Sequence, residues 1–327
     1  MSRRAFVLCG VTPGLCLTMA AAMAQGPGGA AIQGPPILRK AISASENLRY
    51  IGTRTVEFRR NGDTKQHTET ITREGRRLRI DFPEGSPLAG QVIVENGFER
   101  RHYFPEKNEI HVSPPRREEV LGRLGRMMSH GNRFSFVVAA GQPVAGIRTE
   151  QVVVSDRAGN VLQRLYIDPE SGLILKRSLF DPVGTPVGGF EYTRIDLDPR
   201  IDPRVFRLFR RGATFVTPFN LLERLAREHG FPAIALPASS MFRLEGSQVH
   251  KIEGNEVLIQ NYASRDGVHL TLFQLKTNVS PDKMREFARK QNLHSLSWYA
   301  QGNTFVLIGN VDEATLNRIA RPLMGGT

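Results

Sequence analysis

An alternation of apolar and polar residues with a period of two runs through residues 50–197, and it constrains the fold more than any other feature of the chain. Leu78, Ile80 and Phe82, for example, alternate with arginine and aspartate. Because successive side chains of a strand point to opposite faces, this pattern predicts one buried and one solvated face. Pairs such as Glu74-Gly75 separate the runs and supply the positive φ of tight hairpins. The stretch therefore predicts an antiparallel meander of roughly ten strands.

A meander of this length is expected to curl, because strands twist against one another. It then either closes into a barrel or leaves a half-barrel whose concave face must be filled. Two helices are available to fill it. The first carries apolar residues at helical spacing from Ile37 to Leu48, and the second runs from Arg117 to Ser129. The second helix could be a mobile flap or a short helix docked by packing. We therefore predict an α+β protein with an N-terminal antiparallel half-open β-barrel and plugging helices.

A partly plugged half-barrel is a natural apolar cavity. At about 0.8 kcal/mol per buried CH₂, one long acyl chain offers on the order of 10 kcal/mol before the costs of association. The apolar residues expected to face inward are Val56, Phe58, Leu78, Ile80, Phe82, Val92, Val94, Tyr103, Leu173 and Leu175. As lipid-binding candidates we single out Phe58, Leu78, Ile80 and Phe82, together with Met127 and Met128, whose flexible side chains suit irregular apolar ligands. The alternative is that all of these residues are ordinary core.

A second domain follows two Asp-Pro pairs, Asp198-Pro199 and Asp202-Pro203, which disfavour continued helix or strand. Beyond them, helical runs alternate with glycine-containing hairpins, as in a small α+β domain. The predicted organisation is a signal peptide at 1–24, a flexible leader at 25–34, the half-barrel at 35–203, a linker at 204–217 and a C-terminal domain at 218–327.

The N-terminus has the pattern of an export signal. Arg3-Arg4 precede an apolar stretch that ends in a small-x-small site, so cleavage near Ala24 is expected, by the Sec or the twin-arginine route. An uncleaved anchor is the alternative. Both cysteines, Cys9 and Cys16, lie in this segment, so the mature chain should have no thiol and, since neither follows a small residue, no lipid anchor. We predict a periplasmic protein.

The chain is strongly basic, with 44 Lys+Arg against 32 Asp+Glu and a formal net charge of +12. In an exported protein such charge favours lipid head groups, lipopolysaccharide or acidic protein segments over nucleic acid. The basic segment between the domains could dock an acidic partner through Arg204, Arg207, Arg210 and Arg211. The alternatives are a solvated linker and a general preference for arginine.

No catalytic pattern occurs in the sequence. The nucleophile elbow G-x-S-x-G, phosphate-binding glycine loops and H-E-x-x-H are missing, and the eight histidines are scattered. We therefore predict a non-enzymatic protein without cofactor or metal. An envelope hydrolase stays possible on location alone.

Two stretches resemble a known family. "YIDPESGLILKRSLFD" with "FEYTRIDLDPRIDPRVFRL" resembles the end of the lipoprotein-carrier-like domain of LolA, LolB and the MucB/RseB sigma-E regulators. "NYASRDGVHLTLFQLK" and "GNTFVLIGNVDEATLNRIARPL" are similar to the MucB/RseB C-terminal domain. The approach "GFPAIALPASSMFRLEG" departs from that family, because it lacks the expected tryptophan and Pro-x-Gly-Phe.

The resemblance implies a periplasmic negative regulator of envelope-stress sigma-factor signalling. Such a protein binds the exported segment of a membrane-anchored anti-sigma factor and shields it from proteolysis. Lipids, lipopolysaccharide or lipoprotein acyl chains in the half-barrel would release it, because ligands that favour different domain arrangements weaken each other. The alternative is a periplasmic lipid or lipoprotein carrier, or an outer-membrane lipoprotein-sorting protein, which would need only the first domain.

Overall fold

The computed structural model describes residues 34–44, 46–60, 63–115, 119–129, 133–252, 254–264, 266–276 and 280–324. The predicted signal peptide and all but the last residue of the leader lie outside this range. The described chain divides into an N-terminal and a C-terminal unit, with the boundary between Leu221 and Leu222. No helix in the described ranges combines the length and the apolar character needed to cross a membrane.

The N-terminal unit is built on one twelve-stranded sheet. Its strands are β1 (Arg49–Arg60), β2 (Asp63–Glu74), β3 (Arg77–Asp81), β4 (Val92–Glu95), β5 (Arg100–Phe104), β6 (Glu109–Ser113), β7 (Phe134–Ala140), β8 (Glu150–Asp156), β9 (Val161–Ile167), β10 (Ile174–Phe180), β11 (Pro186–Asp196) and β12 (Thr214–Val216). Their order is β12-β6-β5-β4-β3-β2-β1-β11-β10-β9-β8-β7. All neighbours pair antiparallel except β12, which is parallel to β6. The sheet is open, with β12 and β7 at its edges, so the predicted α+β class with an unclosed antiparallel sheet is confirmed.

Two helices, α1 (Pro36–Ala44) and α2 (Glu119–Ser129), fill one part of the sheet. Leu38 of α1 and Leu124 of α2 are fully buried against β8, β9 and β10. Of the two interpretations of the second helix, the docked helix therefore fits the structure. We call the sheet face that carries these helices the inner face, and the opposite one the outer face.

Strand register continues the inner face across the sheet. Val152 of β8 pairs with Leu165, Leu165 with Arg177, Arg177 with Phe190, and Phe190 with Val56 of β1. The same face continues through His67, Glu69 and Ile71 of β2, Ile80 of β3 and Ile93 of β4.

The prediction of a solvated outer face is wrong for β4 and its neighbours. All four residues of β4 are buried. Val92 and Val94 flank Ile93, so they point to the outer face, as does Tyr103 opposite Val92. The prediction that these three residues point to the inner face is therefore wrong. They pack beneath Phe206 and Leu208, because the chain after Asp202 crosses back over this part of the sheet.

The segment 204–217, predicted as a linker, also differs from expectation. A short 3-10 helix, Pro203–Phe206, and strand β12 place it on the outer face of the N-terminal unit. Phe206 and Leu208 are both buried there. The apolar residues at every second position anchor the segment, although the Asp-Pro pairs before them suggested a break.

The C-terminal unit is a five-stranded antiparallel sheet covered on both faces. Its strands are β13 (Phe242–Ile252), β14 (Asn255–Ser264), β15 (His269–Lys276), β16 (His294–Ala300) and β17 (Asn303–Gly309), in the order β13-β14-β15-β17-β16. Helix α3 (Pro218–His229), within which the unit boundary falls, and α5 (Glu313–Met324) contribute to one side, and α4 (Asp282–Lys290) packs on the other.

Candidate functional site

The six residues predicted to bind lipid do not form one surface. Leu78 and Ile80 lie beside the buried core around Tyr50, Ile71 and Tyr192. Phe82 is buried outside this core, on the inner face. Its ring contacts the His67 ring, with the ring centres 5.6 Å apart. Phe58 stacks on the other side of His67 at 6.0 Å, and 40% of its surface is exposed.

A buried ion pair separates these two groups. Along β2, Glu69 lies between His67 and Ile71 on the inner face. The Arg54 guanidinium donates to Glu69, with Nη2 and Nε 2.6 and 2.7 Å from Oε1, and His67 Nε2 is 3.3 Å from Oε2. The guanidinium also lies 4.5 Å from the centre of the Phe190 ring. A buried charge needs such partners to be tolerated, so the apolar inner face is interrupted at its middle.

The electrostatics of this pair favour both charges. Burial raises the pKa of Glu69, but the nearby Arg54 charge and the hydrogen bonds from His67 and Arg54 together outweigh burial and hold that pKa below its usual value. Burial likewise disfavours the Arg54 charge, but the groups around it, of which Glu69 is the one charged at neutral pH, together leave the Arg54 pKa raised. The pKa of Tyr192 is raised, mainly by burial. The pair is therefore ionised at neutral pH.

The two methionines of α2 lie in a third place. Met128 is fully buried between α1 and β8–β10. Met127 packs at the edge of the same cluster, where Gln163 Nε2 is 3.6 Å from its Sδ. These side chains fill the space between helix and sheet. Their role as lipid-binding residues stays a prediction.

The basic segment forms a more coherent surface. Phe206 and Leu208 point into the sheet. The residues that follow each of them, Arg207 and Phe209, therefore point outward. Phe209 is 74% exposed. Arg204 differs from the other predicted partner-binding arginines, since its Nη2 lies 2.7 Å from Asp202 Oδ2. This hydrogen-bonded contact lowers the pKa of Asp202 and raises that of Arg204.

Two arginines, Arg210 of the basic segment and Arg101 of β5, lie beside aromatic rings. The Arg210 guanidinium lies 5.3 Å from the centre of the Tyr103 ring. Arg101 lies 5.4 Å from the Phe215 ring of β12, which is 48% exposed, and also donates from Nη1 to the Leu208 carbonyl at 3.2 Å. Asn108 donates to the Arg211 carbonyl at 3.5 Å. Phe209 and Phe215 were not among the predicted site residues, although Phe209 directly precedes Arg210 in the sequence.

We call the resulting set of exposed side chains the basic–aromatic surface: Arg207, Phe209, Arg210, Arg211 and Phe215. Among the described residues, none of its three arginines has an ion-pair partner. Stacked guanidinium groups beside exposed rings are the composition found at the centres of protein interfaces. The arrangement can bind a segment that offers carboxylates together with apolar side chains.

The search for a metal site gives no candidate in the described ranges, where no group of three or more histidine, cysteine, aspartate or glutamate side chains could hold an ion.

No family model matches the chain, and no curated protein matches it. Solved structures do. The crystal structure of MucB is 16% identical, covers 87% of this chain and 95% of its own, and has a TM-score of 0.43. The Pseudomonas aeruginosa MucA/MucB complex is 15% identical, with the same two coverages and a TM-score of 0.42. A LolA superfamily protein from Nitrosomonas europaea is 12% identical, covers 53% of this chain and 96% of its own, and has a TM-score of 0.28.

Proposed function

We propose that this chain is a periplasmic, non-enzymatic regulator that binds the exported segment of a membrane-anchored anti-sigma factor through the basic–aromatic surface. The bound protein would shield that segment from proteolysis and so restrain envelope-stress sigma-factor signalling. The sequence resemblance to MucB/RseB proteins supports this role. MucB has been crystallised with the periplasmic part of MucA.

The single observation that carries the proposal is the set of unpaired arginines beside exposed phenylalanines. Arg207, Arg210 and Arg211 form no ion pair in the described part of the chain, and Phe209 is largely exposed. Exposed apolar rings rimmed by polar side chains form the kind of patch that marks a protein interaction site. Buried Phe206 and Leu208 fix the backbone beneath, so binding would order few groups and lose little conformational entropy.

Charge reversal tests the proposal. The variant R207E/R210E/R211E should bind the exported segment of an anti-sigma factor that the unaltered protein binds roughly 30- to 1,000-fold more weakly, because interface arginines contribute about 2–4 kcal/mol together. Isothermal titration calorimetry with the purified segment measures the change.

The matched control is R148E/R157E/R194E. These arginines are exposed in the same unit and have no ion pair among the described residues. The control changes the net charge by the same amount, so it should retain binding within about threefold once long-range steering is screened at physiological salt. Equal losses in both variants, or no binding by the unaltered protein, would contradict the proposal.

Release by lipid, lipopolysaccharide or lipoprotein acyl chains stays a prediction, as does the alternative role of a lipid or lipoprotein carrier. For both, the binding residues would be Phe58, Leu78, Ile80, Phe82, Met127 and Met128.

A further inference from the structure

The last strand of the twelve-stranded sheet, β7, has a free edge without the usual protection. Among the described residues, β7 pairs only with β8. Its seven residues, Phe-Ser-Phe-Val-Val-Ala-Ala, include no charge and no proline. Exposed edge strands normally carry lysine, proline or a bulge, because an open row of N–H and C=O groups templates pairing with another chain. At the opposite edge, β12 has three residues only.

Apolar side chains are exposed along this edge on both faces. Val137 is 60% exposed on the outer face, and Val138 is 42% exposed on the inner face. Their partners across the β7–β8 ladder are Val153 and Val152, and Val152 is fully buried. The apolar side chains of the sheet therefore continue onto β7, where no further strand of the described chain covers them.

We propose that β7 is a self-association edge, on which the β7 strand of a second copy of this chain adds antiparallel and continues the sheet. A two-fold axis through Val137 gives the pairs Phe134–Ala140, Ser135–Ala139, Phe136–Val138 and Val137–Val137. Each phenylalanine meets a smaller side chain, valine meets valine at the dyad, and the strand carries no charge. Pairs of this kind stabilise a two-stranded ladder, and one patch used twice is the geometry of a closed dimer.

The lack of charge along the strand supports a second copy over a charged partner. Two copies of a chain of net charge +12 repel each other on average, but β7 carries no charged side chain. Two β7 strands can therefore pair without bringing like charges together.

The contact along one strand is short, so the dimer is expected to be concentration-dependent. Sedimentation velocity of the exported chain over a range of concentrations should show a monomer–dimer equilibrium. V137K places two lysines at the dyad and should raise the dissociation constant at least about tenfold. V183K makes the same change at Val183, which is 85% exposed in the β10–β11 turn, and should leave the equilibrium unchanged.

Cysteine cross-linking tests the register. With Cys9 and Cys16 replaced by alanine, V137C should form an intermolecular disulfide on mild oxidation, because the paired Cα atoms would be about 4.5–5.5 Å apart. A139C changes a neighbouring exposed residue on the same face, but its own copy would lie about 14 Å away across the dyad. It should remain uncross-linked.

A protein that stays monomeric at the highest concentration would overturn the proposal, as would equal cross-linking of V137C and A139C. If V137K instead weakens binding of the anti-sigma segment and leaves sedimentation unchanged, the edge pairs with that segment and self-association is wrong. Loss of segment binding in R207E/R210E/R211E without a change in sedimentation would separate this inference from the proposed function.

Discussion

At the scale of single residues, the buried Arg54–Glu69 pair governs the inner face. The Glu69 side chain is 5% exposed and that of Arg54 is 22% exposed, so water screens their attraction little. Each charge stabilises the other in the protein interior. Removal of one leaves an uncompensated buried charge, which typically lowers the free energy of unfolding by about 3–5 kcal/mol. The pair thus fixes the register between β1 and β2 while it breaks the apolar surface on which a lipid site would depend.

Removing the carboxylate should make the stability of the protein less sensitive to acid. The folded-state pKa of Glu69 is lowered, so its stabilisation is fully present above the unfolded value of about 4.3 and is lost as pH falls through the folded value. We expect E69Q to lower the free energy of unfolding by about 3–5 kcal/mol at pH 7, and by progressively less below about pH 4. Urea unfolding followed by circular dichroism measures both values.

The control for E69Q is E106Q, since Glu106 is exposed in the β5–β6 turn. It should change the free energy of unfolding by less than about 0.5 kcal/mol at either pH. An E69Q deficit of the same size at pH 3 and pH 7 would mean that the ion pair is not the source of the stabilisation. The double substitution R54M/E69L should recover most of the loss, because no unpaired charge remains.

At the scale of elements, the segment from Asp202 to Val216 positions the arginines of the basic–aromatic surface. Phe206 and Leu208 bury themselves on the outer face, and Arg77 lies over the Phe206 ring at 5.1 Å. Because the segment is part of the N-terminal unit, its arginines are presented on a rigid support and not on a flexible connection. This support makes the basic–aromatic surface a candidate site.

Truncating the anchor should therefore be costly. F206A is expected to lower the free energy of unfolding of the N-terminal unit by about 3–5 kcal/mol and to weaken segment binding, although Phe206 itself is buried. F209A, an exposed neighbour, should weaken binding and leave the free energy of unfolding within about 0.5 kcal/mol of the unaltered protein. If F206A unfolds at the same urea concentration as the unaltered protein, the segment is a linker after all.

Much of the element order was predictable because hairpin turns leave strong local signals. The alternation and the glycine-containing turns predicted the meander and the second α+β unit, and helical spacing predicted α2 but left open whether it docks. The faces of β4 were not predictable, because Val92, Ile93 and Val94 are all apolar and all buried, and a continuous apolar run carries no period. Burial on both faces arose from Phe206, more than 100 residues later in the sequence.

The candidate site was predictable in part for the same reason. The arginines of 204–211 were visible as a charge run, whereas the Tyr103 ring that contacts Arg210 lies on β5, and exposed Phe215 lies on β12. On the inner face, alternation along β2 places Glu69 beside Ile71, but its partner Arg54 lies on another strand. Contacts between strands depend on register, which local pattern does not specify.

At the scale of the whole molecule, two surfaces of the N-terminal unit lie at opposite edges of one sheet. The basic–aromatic surface belongs to the β12 edge, and the uncharged strand β7 forms the other. A dimer through β7 would leave both basic–aromatic surfaces free and double the sites available to a membrane-anchored partner. Such bivalence raises the effective affinity without any new contact, provided that both sites can be engaged at once.

The proposed function requires that the exported segment of an anti-sigma factor bind on the basic–aromatic surface. Amide hydrogen exchange of the full exported chain, with and without a saturating amount of the segment, measures where it binds without assuming a site. We predict slower exchange in peptides that cover residues 207–216, with no comparable change in those that cover the control arginines at 148, 157 and 194. Protection confined to other parts of the chain, with residues 207–216 unchanged, would show that the segment binds elsewhere and that the proposed site is wrong.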